Sequence, residues 1–266
     1  MYQYNDDSLM LHNDLYQINM AESYWNDGIH ERIAVFDLYF RKMPFNSGYA
    51  VFNGLKRVVN FIENFGFTNE DITYLKSIGY KEDFLNYLKD LKFTGNIKSM
   101  QEGEICFGNE PLLRVEAPLI QAQLIETILL NIINFQTLIA TKASRIRQIA
   151  THDSLMEFGT RRAQEIDAAL WGARAAFIGG FDSTSNVRAG KLFNIPVSGT
   201  HAHALVQTYG DEYIAFKKYA ERHKNCVFLV DTFHTLKSGV PTAIKVAKEL
   251  GDTINFIGIR LDSGDI

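Results

Sequence analysis

The chain has 266 residues and a formal net charge of −4, from 27 basic and 31 acidic side chains. That balance argues against a protein that coats nucleic acid, which needs a basic face to neutralise phosphates. With 46% hydrophobic and 22% charged residues, only 5 prolines and no low-complexity tract, it is globular material and long enough for roughly two domains. Cys106 and Cys226 are too few for a disulfide framework, and each sits in an apolar run as a small core residue does. Residues 1–10 lack the basic-then-apolar order of a signal peptide, so the expectation is a cytoplasmic protein.

In chain order, residues 1–150 mix elements without a regular alternation. Residues 33–40 alternate like a strand, and 54–65 and 69–77 carry helical patterns. Short strands are expected at 104–107 and 112–115, around the turn Gly108-Asn109-Glu110-Pro111. The most apolar stretch, 119–140, includes Gln121, Gln123, Glu126, Asn131, Asn134 and Gln136, too many polar groups for a lipid-facing span. Within it Leu124, Ile128, Ile132, Phe135 and Ile139 recur at three and four, the helical period. A long, mostly buried helix over about 118–149 is expected, because 141–149 holds no Gly or Pro to stop it.

Beyond residue 150 the grammar changes. Apolar strands at 154–158, 176–181, 195–198, 226–230 and 255–261 alternate with helices at 161–175, from Ser183, from Thr200 and at 240–250. Repeated βα units predict a parallel sheet with right-handed crossovers, so the fold class is α/β, with an α+β domain over 1–150 and an α/β domain over 151–266.

In such sheets ligands bind where the strands end and the loops enter the next helix. The strand ends read Glu157 to Arg162, Gly180 to Asn186, Ser198 to His203, Asp231 to Thr235 and Arg260 to Asp265. One loop rich in Ser, Thr and Asp is routine helix capping. Several that also carry Arg and His on one face point to a polar ligand.

Arg161 and Arg162, placed at a helix start, suit a carboxylate or phosphate. Asp231, Asp262 and Asp265 suit a sugar diol or a Mg2+ that carries phosphates, Asp262 and Asp265 being the metal candidates. His201 and His203 lack the spacing of a metal pair, and only one of them is expected to face the ligand, as a base or a nucleophile. His12, His30, His152, His223 and His234 are taken as structural. No G-x-S-x-G elbow, no G-x-x-x-x-G-K-[ST] loop and no G-x-G-x-x-G after a strand is present. Lys237 and Lys245 lie outside apolar strands, which leaves little support for Schiff-base chemistry.

These loops resemble the nicotinate phosphoribosyltransferase family, over nearly the whole chain. The markers are Asn13-Asp14-Leu15-Tyr16-Gln17, Phe158-Gly159-Thr160-Arg161-Arg162-Ala163, Gly180-Phe181-Asp182-Ser183-Thr184-Ser185-Asn186, Gly199-Thr200-His201-Ala202-His203, Val230-Asp231-Thr232 and Arg260-Leu261-Asp262-Ser263-Gly264-Asp265. The resemblance implies an incomplete (β/α) barrel of the type II phosphoribosyltransferase kind. It also implies the formation of nicotinate mononucleotide and pyrophosphate from nicotinate and 5-phosphoribosyl 1-pyrophosphate, an entry step of NAD salvage driven by ATP. By the same resemblance His203 is the phosphohistidine and Tyr16 stacks on the pyridine ring. Phe158, Thr200 and Arg260 fall at substrate positions, Arg161 at the phosphoribosyl pyrophosphate site, and Asp231 and Asp262 at the ribose and its Mg2+. ATP and Mg2+ are the implied cofactors, and a homodimer without nucleic-acid or membrane partners is the implied assembly.

The sequence departs from the family pattern at His234, where Asp is frequent, and it ends at Ile266 after about five strands of a roughly eight-stranded barrel. The expectation is a truncated product without transferase activity of its own and with an exposed sheet edge. Nicotinamide phosphoribosyltransferase and a non-catalytic fragment are the alternatives.

Overall fold

A computed structural model describes residues 9–264, which fall into two compact units that divide between Val197 and Ser198. The first unit opens with helix α1 (Leu15–Asn26) and strand β1 (Ile33–Leu38). The two-residue strand β2 (Ala50–Val51) follows, then helices α2 (Leu55–Glu63), α3 (Asn69–Ser77) and α4 (Glu82–Asp90). Strands β3 (Asn96–Ser99), β4 (Ile105–Cys106) and β5 (Leu113–Pro118) lead into helix α5 (Leu119–Ile149).

Strand β5 is central in an antiparallel sheet, order β1-β5-β3, with Ile33 opposite Pro118 and Leu38 opposite Leu113. Its alternation is clean: Leu113, Val115 and Ala117 point into the core, while Arg114 and Glu116 are exposed. Arg114 pairs across the strands with Asp37 at 2.7 Å. Helix α3 starts at residue 69, as the pattern predicts, because Thr68 and Asp71 cap each other's backbone N–H groups at 3.1 and 2.8 Å.

Helix α5 has the expected extent. It is long and apolar enough to cross a membrane, but the greater part of that apolar window is buried inside the first unit. Several of its polar residues have structural partners. Thr141 and Thr137 accept the backbone N–H groups of Val51 and Asn53 at 2.9 and 3.1 Å, so the helix supplies hydrogen bonds to an extended segment. Gln121 likewise accepts the Thr94 N–H at 2.8 Å.

After α5 come β6 (Met156–Glu157), α6 (Glu165–Ile178), β7 (Ser183–Thr184) and α7 (Val187–Phe193). Several expectations are corrected here. Ala176 to Ile178 are the last turn of α6, not a strand, because Gly172, Ala175 and Gly179 are small enough to let the α6 segment lie close against α5. Gly179 and Gly180 stop it, Gly180 at φ +105°. Helix α6 starts at Glu165, so Arg161 and Arg162 occupy a 3-10 turn (Thr160–Arg162) ahead of it. The strand expected at 195–198 shrinks to one bridge between Val197 and Thr184, and the helix expected from Ser183 begins at Val187, where Asn186 caps it. Because α6 packs on α5, the compact first unit extends past residue 150 to Val197.

The second unit contains α8 (His203–Tyr209), α9 (Glu212–Ala220), β8 (Asn225–Leu229), α10 (Val240–Leu250) and β9 (Asn255–Arg260). Here the predicted 226–230 strand, 240–250 helix and 255–261 strand are all found, as a parallel pair from Asn225 opposite Asn255 to Leu229 opposite Arg260. Helix α9 was not expected, and the helix expected from Thr200 begins three residues later. The described strands after residue 150 thus form two short parallel pairs, β6-β7 and β8-β9. A core of Val206, Phe216, Phe228 and Val246 holds the second unit, with Phe216 and Phe228 stacked at 4.9 Å. Gly239 sits so close to the end of β8 that a Cβ there would lie 1.8 Å from the Val230 carbonyl oxygen.

The α5–α6 contact gives a paired test. A Cβ on Gly179 would lie 2.4 Å from the Ala140 carbonyl oxygen, whereas one on Gly172 would meet Phe135 at an ordinary 3.7 Å. Gly179→Ala should therefore destabilise by about 1–3 kcal/mol through overpacking. Gly172→Ala, inside α6, should be neutral or stabilising by up to about 1 kcal/mol. Urea denaturation of the two variants checks both signs.

Candidate functional site

The second unit gathers its polar residues where β8 and β9 end. The ladder continues one step past the strands, with Val230 N–H donating to the Arg260 carbonyl at 3.2 Å. The next residue, Asp231, reaches across to the loop that follows β9. Its Oδ2 accepts the N–H groups of Asp262 and Ser263 at 2.6 and 2.7 Å and the Ser263 hydroxyl at 2.9 Å. Burial raises the proton affinity of Asp231, but these donors outweigh it and hold the carboxyl below the usual range. Its other oxygen, Oδ1, is buried without a hydrogen-bond partner.

His203, the first residue of α8, stands beside this clamp. Its Nδ1 lies 3.0 Å from the Thr232 hydroxyl, and its Nε2 lies 3.9 Å from both Asp231 Oδ1 and Asp262 Oδ2. The ring is 32% exposed, open enough to meet a ligand. Arg260 completes the cluster, donating from Nη1 to Thr200 Oγ1 at 2.9 Å and from Nη2 to Asp262 Oδ1 at 2.7 Å. Asp262 thus spans the site, one oxygen on the arginine and the other toward the histidine.

His201, two residues away, lies in a different environment. It is 6% exposed, flanked by the rings of Phe216, Tyr219 and Phe228, and its Nε2 accepts the Leu229 N–H at 3.1 Å. Burial first, and then the charge of Arg260, push its pKa down. Of the two histidines only His203 faces the cluster.

Thr200, His203, Asp231, Arg260 and Asp262, all singled out from the sequence, therefore converge. Asp265 lies outside the described residues. Thr232 and Ser263 were not singled out, although both sit inside quoted motifs; only the fold shows them touching His203 and Asp231. His234, where the sequence departs from the family pattern, accepts the Lys237 N–H at 3.3 Å and so caps the turn that leads into α10.

The remaining predicted residues belong to the first unit. Tyr16 is exposed in the first turn of α1, its hydroxyl accepting from Gln17 at 3.0 Å, and it lines a cleft of about 410 Å³ with Tyr39, Arg41, Asn131 and Asn134. Phe158 follows β6, and Arg161 lies in the 3-10 turn. Glu157 organises this stretch, accepting the Gly159 N–H and, at 2.6 Å, the Thr184 hydroxyl. Arg147, at the end of α5, donates to the carbonyls of Gly180, Ala150 and Asp153 and to Asp182 at 2.6 Å. The Leu155 N–H, and next the Arg147 guanidinium, hold Asp182 below the usual carboxylate range. No periodicity marked Arg147, since its partners are distant backbone carbonyls.

Among the described residues no three His, Cys, Asp or Glu side chains form a metal cluster. Mg2+ needs less from a protein, one or two carboxylates with phosphates and water supplying the rest. The unpartnered Asp231 Oδ1 and the neighbouring Asp262 Oδ2 are hard oxygen donors that fit this demand.

Comparison with known proteins agrees with the motifs. Residues 11–134 match the nicotinate phosphoribosyltransferase (NAPRTase) N-terminal domain, and residues 154–266 match the nicotinate phosphoribosyltransferase (NAPRTase) family. A nicotinate phosphoribosyltransferase of Bacillus subtilis is 68% identical over 266 residues, which is 100% of this chain and 54% of the relative. The crystal structure of human nicotinic acid phosphoribosyltransferase superposes with a TM-score of 0.87 at 32% identity, covering 95% of this chain and 61% of that one. A nicotinate-nucleotide pyrophosphorylase from Pyrococcus furiosus superposes at 0.80 with 26% identity, over 99% of this chain and 60% of that one. The chain belongs to the nicotinate phosphoribosyltransferase family. It spans about half the length of the curated relatives it matches.

The burial of His201 has a pH signature. Its pKa is below the ordinary 6.5, so the unfolded chain binds the proton more readily than the folded one. Stability is then fully present above 6.5 and declines as the pH falls below that value. Unfolding free energies measured across this range should show the decline, and His201→Gln, which cannot titrate, should flatten it.

Proposed function

We propose that the protein acts as an ATP-coupled nicotinate phosphoribosyltransferase of NAD salvage, with His203 as the group that carries phosphate. The observation that carries this reading is the partly exposed His203 ring, hydrogen-bonded at Nδ1 and open at Nε2 between two carboxylates, in a chain of this family. For Nε2 to act as nucleophile it must be unprotonated, so Nδ1–H donates to Thr232. Nε2 attacks the terminal phosphorus of ATP, a P–N bond forms and ADP leaves; water later returns the histidine and releases phosphate. The phosphoryl group adds about −1.5 to −2 charge. Beside Asp231 and Asp262 that charge repels, which loosens the clamp between the strand ends and couples ATP hydrolysis to substrate binding.

In the transfer itself the pyridine nitrogen of nicotinate bonds to C1 of the ribose as the bond to pyrophosphate breaks. Positive charge grows on the sugar, and the Asp231 and Asp262 carboxylates stabilise it. Mg2+, when bound against Asp231 and Asp262, would neutralise the leaving pyrophosphate. Arg260, held by Thr200 and Asp262, recognises the nicotinate carboxylate. The family resemblance further assigns Tyr16 to stacking on the pyridine ring, Phe158 to substrate contact and Arg161 to phosphoribosyl pyrophosphate. It also supports an α/β barrel, a homodimer and a cytoplasmic location.

Incubation with ATP should leave an acid-labile phosphate that His203→Ala abolishes; labelling that persists in His203→Ala, or vanishes only with His201→Ala, overturns the assignment. Arg260→Ala should weaken nicotinate binding roughly ten- to a hundredfold, the worth of a charge-assisted hydrogen bond, and leave the neutral nicotinamide little changed. Calorimetric titration with both ligands reads this out, and equal losses would place Arg260 on phosphate or on folding instead.

A further inference from the structure

The loop before α8 and the first residue of that helix are fastened at three points. Thr200 is tied to Arg260 at the end of β9, His201 to Leu229 at the end of β8, and His203 to Thr232 just beyond β8. The middle tie is the buried one. Leu229 is fully buried, and its N–H points to His201, whose ring fills a pocket walled by Phe216, Tyr219 and Phe228. Without that acceptor the Leu229 N–H would be left unpaired in the core, which proteins avoid.

The pocket itself suits an aromatic hydrocarbon. His201 brings a polar cost with it, since its Nδ1 is buried with no hydrogen-bond partner. A phenylalanine would pack among these rings without that cost. What the imidazole supplies and phenylalanine lacks is an acceptor at the height of the Leu229 N–H. With Nε2 accepting, the proton of the neutral ring sits on Nδ1.

We infer that His201 is a positioning residue for His203: a neutral, Nδ1-protonated imidazole whose Nε2 seats the 199–203 loop on the end of β8 and so brings the His203 ring to Thr232. The link to catalysis rests on the reading of His203 as the phosphate carrier; the tautomer and the loop anchor do not. His201 makes no hydrogen bond or ion pair to the carboxylates or to Thr232, so its part is to place the loop.

Long-range proton–nitrogen spectra of the labelled protein should show His201 protonated at Nδ1 and bare at Nε2, with the Leu229 amide slow to exchange. His201→Phe keeps the ring and removes the acceptor. It should speed Leu229 exchange, shift the His203 ring signals and lower the rate of phosphoryl transfer from ATP about tenfold. His201→Gln, whose Oε1 can replace Nε2, should restore the His203 signals and most of the rate. An Nε2-protonated His201 in the unaltered protein overturns the proposal, as does a folded His201→Phe variant in which His203 signals and rate are unchanged. If His201→Phe does not fold, the tautomer of the unaltered protein and the His201→Gln variant decide. Absence of nicotinate mononucleotide synthesis in the unaltered protein would count against the proposed function, while the tautomer and the Leu229 amide still judge His201.

Discussion

Two parallel strands have no hairpin to hold their ends in register, so whatever sits there must be tied by side chains. In the second unit that tie is the Asp231 carboxylate, which accepts from Asp262, Ser263 and the Ser263 hydroxyl across the gap between β8 and β9. The arginine end of the cluster depends on it. Asp262 is placed by its own backbone N–H, and Arg260 is then placed by the Asp262 carboxylate and the Thr200 hydroxyl. The depressed pKa of Asp231 follows from the same donors: they favour the ionised form more than burial disfavours it.

The clamp leaves one oxygen unused. A carboxylate that spends Oδ2 on structure and keeps Oδ1 buried but unpaired holds an acceptor in reserve beside a histidine nitrogen. Burying such a group costs free energy unless a partner arrives. A ligand-borne cation would satisfy it.

The first unit rests on a different device. Helix α5 is apolar, yet Thr137, Thr141 and Gln121 accept backbone N–H groups of neighbouring segments, so a helix serves as the polar edge for β2. Its last turn then delivers Arg147, whose guanidinium collects the carbonyls around residues 150–153 and 180 and the carboxylate of Asp182. The loops after β6 and before β7 owe their shape to that fork and to Glu157.

Local spacing determined the long helix, the α3 helix and the β8-α10-β9 unit, because each is written in apolar runs and periods along the chain. The residues at the strand ends were legible for the same reason, as polar letters that follow apolar runs. The α6 boundary was not legible, since alanine-rich segments satisfy both strand and helix patterns until a neighbouring helix asks for small side chains. Nor could spacing say which of His201 and His203 faces the site. They differ by two positions in one loop, and the choice was made by where the Leu229 N–H, the aromatic pocket and the Thr232 hydroxyl lie, contacts about thirty residues away in sequence that only folding brings together.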